Sequence, residues 1–270
     1  MAQVQRSVWF ACALLAACGD NGDNANPDAP VAPDAAGPVT VFGGSATVYG
    51  QTVKTYGLLQ GGTLLEAGFI VPKAVGAAAD AQPAGTFDGF GPLEYPAEVT
   101  QRSVLTLAVL DFFRDGIGAP WGEAFFGVHS YMIDDATRLA VVCPATVSPA
   151  AAEVPAMYNV LPQDTYPAGG CIAGEGLHAV DLASPEMQTP AQPFTVNLWL
   201  AYSPTDGHMT VLESFVSDSF LSTGTSYDED VRAPATYPPA ASGKLFPGKL
   251  HAKLDGSDWK IYFDSFITAP

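Results

Sequence analysis

From Val39 onward the dominant pattern is alternation of apolar and polar side chains every second residue, and this predicts strands. Phe194, Val196, Leu198, Leu200 and Tyr202 alternate with Thr195, Asn197, Trp199 and Ala201, which reads as a half-buried strand. Leu250, Ala252 and Leu254 alternate with Lys249, His251 and Lys253, and Trp259, Ile261 and Phe263 alternate with Lys260, Tyr262 and Asp264. Between these two runs stands Asp255-Gly256-Ser257-Asp258, a turn signal, so residues 248–268 read as a hairpin. Further strands are expected near 39–42, 45–49, 52–59, 63–71, 125–133, 138–143, 177–182 and 209–216. Pro and Gly clusters punctuate them, and Gly43-Gly44 and Gly61-Gly62 read as connecting turns. Val104 to Phe113 is apolar on both sides. That suits a buried strand or a helix ended by Gly116, and strand is the favoured reading. The expected fold class is mainly β, an antiparallel β-sandwich or a distorted barrel-like domain over 39–270.

Tyr-Pro recurs at 95–96, 166–167 and 237–238, each 71 residues after the last and each followed by an apolar run. A duplicated β-unit would produce this spacing. So would chance among 23 prolines and 10 tyrosines, and no longer stretch aligns.

The N-terminus breaks the β pattern. Arg6 precedes the apolar run Ser7 to Ala17, which is far too short to span a bilayer as a helix. The run ends in Leu15-Ala16-Ala17-Cys18-Gly19. An aliphatic residue, two small residues and a cysteine in this order resemble the lipobox of bacterial lipoproteins. Cys12 fits less well, because Trp9 stands where the aliphatic residue belongs. The resemblance is confined to this N-terminal segment. It implies a signal peptide over 1–17, lipidation of Cys18 and attachment to the cell envelope. Gly19 is not the Asp associated with retention at the inner membrane, so the outer membrane is the favoured address.

Residues 18–38 then form a tether. After Cys18, Val31 is its only large apolar residue, and Pro27, Pro30, Pro33 and Pro38 stiffen it. Such a stretch cannot bury enough surface to offset its ordering entropy, so it is expected to be disordered. At about 3.1 Å per residue it would reach roughly 60 Å when fully extended. Asp20, Asp23, Asp28 and Asp34 would keep it off an anionic membrane surface.

Charge narrows the partners. The 270 residues carry 11 Lys and Arg against 28 Asp and Glu, a formal charge of −17, which becomes −18 when Arg6 leaves with the signal. Neutralising nucleic-acid phosphates is therefore excluded. The expected partners are the membrane, through lipid on Cys18, and a protein or glycan of the envelope. With Cys12 in the signal and Cys18 lipidated, Cys143 and Cys171 remain. In an exported domain they are expected to form a disulfide, which closes a loop worth roughly 3–4 kcal/mol.

Candidate chemistry is sparse. The histidines are His129, His178, His208 and His251, and no His-Glu-x-x-His motif occurs. His178 and Asp181 would face opposite sides of one strand. His251 lies on the polar, solvated face of its own. No Gly-x-Ser-x-Gly elbow is present, although His129-Ser130 with Asp134 and Asp135, and Ser203 with Asp206 and His208, bring the residue types of a triad close in sequence. Asp228, Glu229 and Asp230 are the best local calcium candidates, with Asp134 and Asp135 second, yet no calcium-loop motif occurs and no cofactor is otherwise indicated. Trp121, Trp199 and Trp259 suit a core or, less well, a glycan-stacking surface. The pattern points to a non-enzymatic binding or structural module. The alternative is an exported hydrolase whose Ser, His and Asp come together only in space.

Overall fold

The computed structural model describes residues 37–163 and 170–270. The signal segment, Cys18 and Tyr166-Pro167 lie outside the described residues, as does all but the end of the tether. Sixteen strands are described: β1 Val39–Val48, β2 Gln51–Gln60, β3 Thr63–Pro72, β4 Phe87–Glu94, β5 Leu107–Phe113, β6 Phe125–Tyr131, β7 Tyr158–Val160, β8 Cys171–Ile172, β9 Gly176–Asp181, β10 Val196–Tyr202, β11 Met209–Ser217, β12 Tyr227–Asp230, β13 Leu245–Phe246, β14 Lys249–Asp255, β15 Asp258–Asp264 and β16 Ile267–Thr268. Four short helices join them: α1 Ala74–Asp80, α2 Ala97–Thr100, α3 Asp135–Leu139 and α4 Asp218–Thr223. No helix among the described residues is long and apolar enough to cross a membrane.

The strands form a six-stranded sheet in the order β1-β2-β3-β15-β14-β12, an eight-stranded sheet in the order β4-β5-β6-β11-β10-β9-β7 with β8 beside β9, and a two-stranded pair of β13 with β16. Every paired strand is antiparallel, and neither sheet closes on itself, so the fold is sandwich-like and the barrel alternative falls away. The inner faces share one core. Phe69, Val71, Leu250, Trp259 and Ile261 come from the smaller sheet, and Leu110, Phe112, Val128, Leu198 and Leu212 from the larger. The expected hairpin at 248–268 is present as β14 and β15, paired from Lys249↔Asp264 to Asp255↔Asp258. Gly61-Gly62 makes the β2–β3 turn with both φ angles positive, the backbone that a two-residue hairpin needs.

Four local expectations are corrected. Gly43-Gly44 is not a turn but a bulge inside a continuous β1, where the edge of the other sheet comes close. A Cβ on Gly43 would sit 2.3 Å from the Glu94 carbonyl oxygen. Residues 138–143 form no strand, because Asp134 caps α3 by accepting the Thr137 N–H at 2.7 Å and Arg138 binds Asp135 at 2.7 Å. The same contacts occupy both acids of the second calcium candidate. The strand ending at Tyr202 is buried on both faces rather than one. His251, expected in solvent, is buried instead: it stacks on Tyr262 and lies between Asp228 and Asp264. The run 104–113 resolves as β5, apolar on both sides because both of its faces are covered.

What covers the second face of the larger sheet positions the site. Trp121, Phe125, Phe194, Trp199 and Phe215 form an aromatic cluster there, and Leu107, Tyr131, Ala201 and Val211 form a second apolar cluster. Trp199 is only 2% exposed, and Trp121 donates from Nε1 to Glu186 at 3.1 Å, so these tryptophans pack rather than offer a surface. Trp259 is buried in the main core.

Candidate functional site

Between those two apolar clusters runs a polar band. Asp111 on β5, His129 on β6, Glu213 on β11 and His178 on β9 all project from the outer face of the larger sheet, because strand alternation gives them the parity of the outward apolar residues. Glu213 is directly opposite His129 in the β11–β6 register, and Asp111 faces Gly127. Gly127 is what makes room: a Cβ there would lie 2.8 Å from His129 Nε2. The fifth member, Glu175, comes from the turn between β8 and β9. That turn is pinned by the Glu175 carbonyl, which accepts from Thr210 Oγ1 at 2.9 Å, and by the Gly174 N–H, which donates to the Val141 carbonyl. The expected disulfide between Cys143 and Cys171 is present and ties the 140s segment to this same turn.

The contacts within the band are short. His129 Nε2 is 3.3 Å from Asp111 Oδ2 and 3.1 Å from Glu213 Oε1. His178 Nε2 is 3.0 Å from Glu175 Oε2 and 3.4 Å from Glu213 Oε2. Asp111, His129 and Glu175 form one set of converging ligand atoms, and Glu175, His178 and Glu213 form another. Burial pulls both imidazoles down, but the surrounding carboxylates outweigh it, so His129 is raised and His178 is raised to about 10. Burial pushes Asp111 up to about 6, against the pull of His129. Glu175 is lowered, since His129, His178 and Arg138 overcome its burial.

A second feature is an open cavity of about 360 Å³. Val104, Met132, Ile133, Val141 and Met209 give it an apolar wall, and Ser203, Asp206, His208 and Lys244 a polar mouth. The Ser203–Asp206–His208 trio is therefore brought to one cavity. His208 Nδ1 is 2.7 Å from Glu153 Oε1, while the Ser203 hydroxyl lies 3.1 Å from Thr205 Oγ1 and accepts from the Thr205 and Asp206 amides at 3.4 Å. No hydrogen bond joins Ser203 to His208 through their side chains among the described residues. The other trio separates: Ser130 faces inward to Tyr95, and Asp134 and Asp135 serve α3.

Asp228, Glu229 and Asp230 do not converge. They lie on β12, so alternation sends Glu229 to the face opposite its neighbours. Asp228 binds His251 and Lys253, and Asp230 binds Lys249 at 2.9 Å. Glu229 instead accepts from the Tyr227 hydroxyl at 2.9 Å and lies near Asp181 and Arg232.

Asp111, Glu175 and Glu213 stand in no motif along the chain. A signal was there: Asp111 and Glu213 are single acids inside otherwise uncharged strands, where a charge that is kept must be paired. Asp181, the acid near His178 in sequence, does face the other way and binds Arg232. No family model matches the chain, and no curated protein or solved structure matches it either.

Proposed function

We propose that the chain is a lipid-anchored cell-envelope protein, attached through Cys18 with the outer membrane favoured, whose β-sandwich is a non-catalytic binding module. The lipobox-like Leu15-Ala16-Ala17-Cys18 supports the anchor. The cavity beside Met209 carries the binding reading: an apolar wall with a few polar groups at the mouth is the form of a small-molecule site. Its chemistry suits a small amphipathic ligand, apolar body inward and polar end toward His208 and Lys244. Membrane fractionation tests the anchor: Cys18→Ala should release the chain, and unchanged association would refute it. A fluorescent apolar probe such as aminoanthracene tests the cavity. It should bind the wild type and lose affinity with Ala240→Trp, which plugs the mouth from an exposed position. Equal binding by both would refute the cavity.

One observation favours the hydrolase reading as a second. Glu153 on His208 Nδ1 leaves Nε2 facing away from the acid, which is the orientation a Ser-His-acid triad uses. Labelling of Ser203 by a serine-directed fluorophosphonate would establish that reading and overturn the non-catalytic one.

A further inference from the structure

We propose that the polar band binds a divalent first-row transition metal ion, with Glu175, His178 and Glu213 as its ligands and with Asp111 and His129 completing the site. The inference is independent of the anchor and the cavity.

Three observations converge on it. The first is unmet bonding. His129 Nδ1 and Nε2 and Glu213 Oε2 are buried without a hydrogen-bond partner, and the side chains of both histidines and Glu213 are at most 3% exposed. Polar atoms buried in this way cost stability unless something satisfies them. The second is spacing. Ligand atoms about 2.1 Å from a metal stand about 3.0 Å apart on an octahedral edge and about 3.4 Å apart on a tetrahedral one. Glu175 Oε2 and Glu213 Oε2 lie 3.0 and 3.4 Å from His178 Nε2. The third is charge. Three carboxylates share the band with two imidazoles, and Arg138, the cation that acts on Asp111 and Glu175, is already tied to Asp135. A divalent ion held by neutral imidazoles would take over the charge balance that the imidazole protons otherwise supply.

The donor set fixes the class. Imidazole nitrogen with carboxylate oxygen and no thiolate suits Zn²⁺, Mn²⁺, Fe²⁺, Co²⁺ or Ni²⁺, whereas Ca²⁺ and Mg²⁺ take all-oxygen shells. Glu175 is the only ligand carried by a turn, and its side chain is the most exposed of the five at 15%. The ion therefore enters from the Glu175 side, and the disulfide beside that turn holds the ligand in place.

The test uses the purified full chain, stripped with chelator and equilibrated with Zn²⁺ alone, then with millimolar Ca²⁺ and Mg²⁺ added. Bound metal is counted, and affinity is read by competition with a chromophoric chelator. The wild type should retain at least one Zn²⁺ per chain against Ca²⁺ and Mg²⁺. Glu175→Gln and His178→Gln should each weaken binding by about tenfold or more, while Ala240→Trp leaves it unchanged. Should His178→Gln fail to fold, Glu175→Gln decides the matter from a turn outside the core, with near-UV circular dichroism checking its fold. No Zn²⁺ on the wild type, displacement by Ca²⁺, or undiminished binding by Glu175→Gln would each overturn the proposal.

Discussion

Replacing Glu229 by Gln should stabilise the protein, and increasingly so as the pH rises. Glu229 is half-buried on β12, facing Asp181, and burial pushes its carboxyl from the ordinary 4.5 up to about 7; Asp181 adds to that rise, while Tyr227 and Arg232 oppose it. Between those two values the folded state binds more protons than the unfolded state, so stability falls as pH climbs from 4.5 through 7. Integrating the linkage gives a cost of about 1 kcal/mol at pH 5 and about 3 kcal/mol at pH 8. Gln is the shape of the protonated acid. Its oxygen can still accept from the Tyr227 hydroxyl, and its amide can donate toward Asp181, as the protonated carboxyl does. The variant should therefore gain about 2 kcal/mol more at pH 8 than at pH 5. Urea unfolding followed by tryptophan fluorescence, at both pH values and for both proteins, reads the difference. Asp111 and Asp218 also titrate upward in the fold, at about 6 and about 7, but they do so in both proteins and cancel. An equal effect of Glu229→Gln at pH 5 and pH 8 would refute the burial argument, and so would a loss of stability at pH 8.

Two further outcomes follow from packing and topology. The Cys143–Cys171 bond spans 28 residues, so its removal by Cys143→Ser with Cys171→Ser should cost roughly 3–4 kcal/mol. Calorimetry should show a clearly lower Tm, and an unchanged Tm would mean that the enclosed segment is already ordered in the unfolded chain. Phe125 is fully buried, with ring centroids of Phe113 and Phe215 at 4.7 and 4.6 Å, so Phe125→Ala should cost about 3–5 kcal/mol. A loss below about 1 kcal/mol in denaturant titration would mean that the outer aromatic cluster contributes little more than surface burial.

Much of the sandwich was legible because hairpins are local. The β14–β15 pairing follows from two alternating runs and one Asp-Gly-Ser-Asp turn, all within the 16 residues from Lys249 to Asp264. The misreadings share a cause. Alternation tells which residues lie on each face of a strand, but not whether the second face meets water. Trp199, Asn197 and Ala201 looked half-exposed from their own strand, but Trp121 packs on Trp199, Glu186 accepts from Asn197, and Leu107, Tyr131 and Val211 cluster with Ala201. His251 looked solvated for the same reason. Asp228, one strand across, and Asp264, on the hairpin partner, enclose it.

By itself the sequence determined most of the strand periodicity and tight turns such as Gly61-Gly62, and it pointed to the pairing of Cys143 with Cys171, which the structure contains. Each depends on chain-local geometry or on a count. Only the tertiary structure decided the polar band, whose members Asp111, His129, Glu175, His178 and Glu213 span four strands and a turn. Their meeting depends on strand order and register across the sheet, and those are set by the burial of whole faces rather than by any residue's neighbours along the chain.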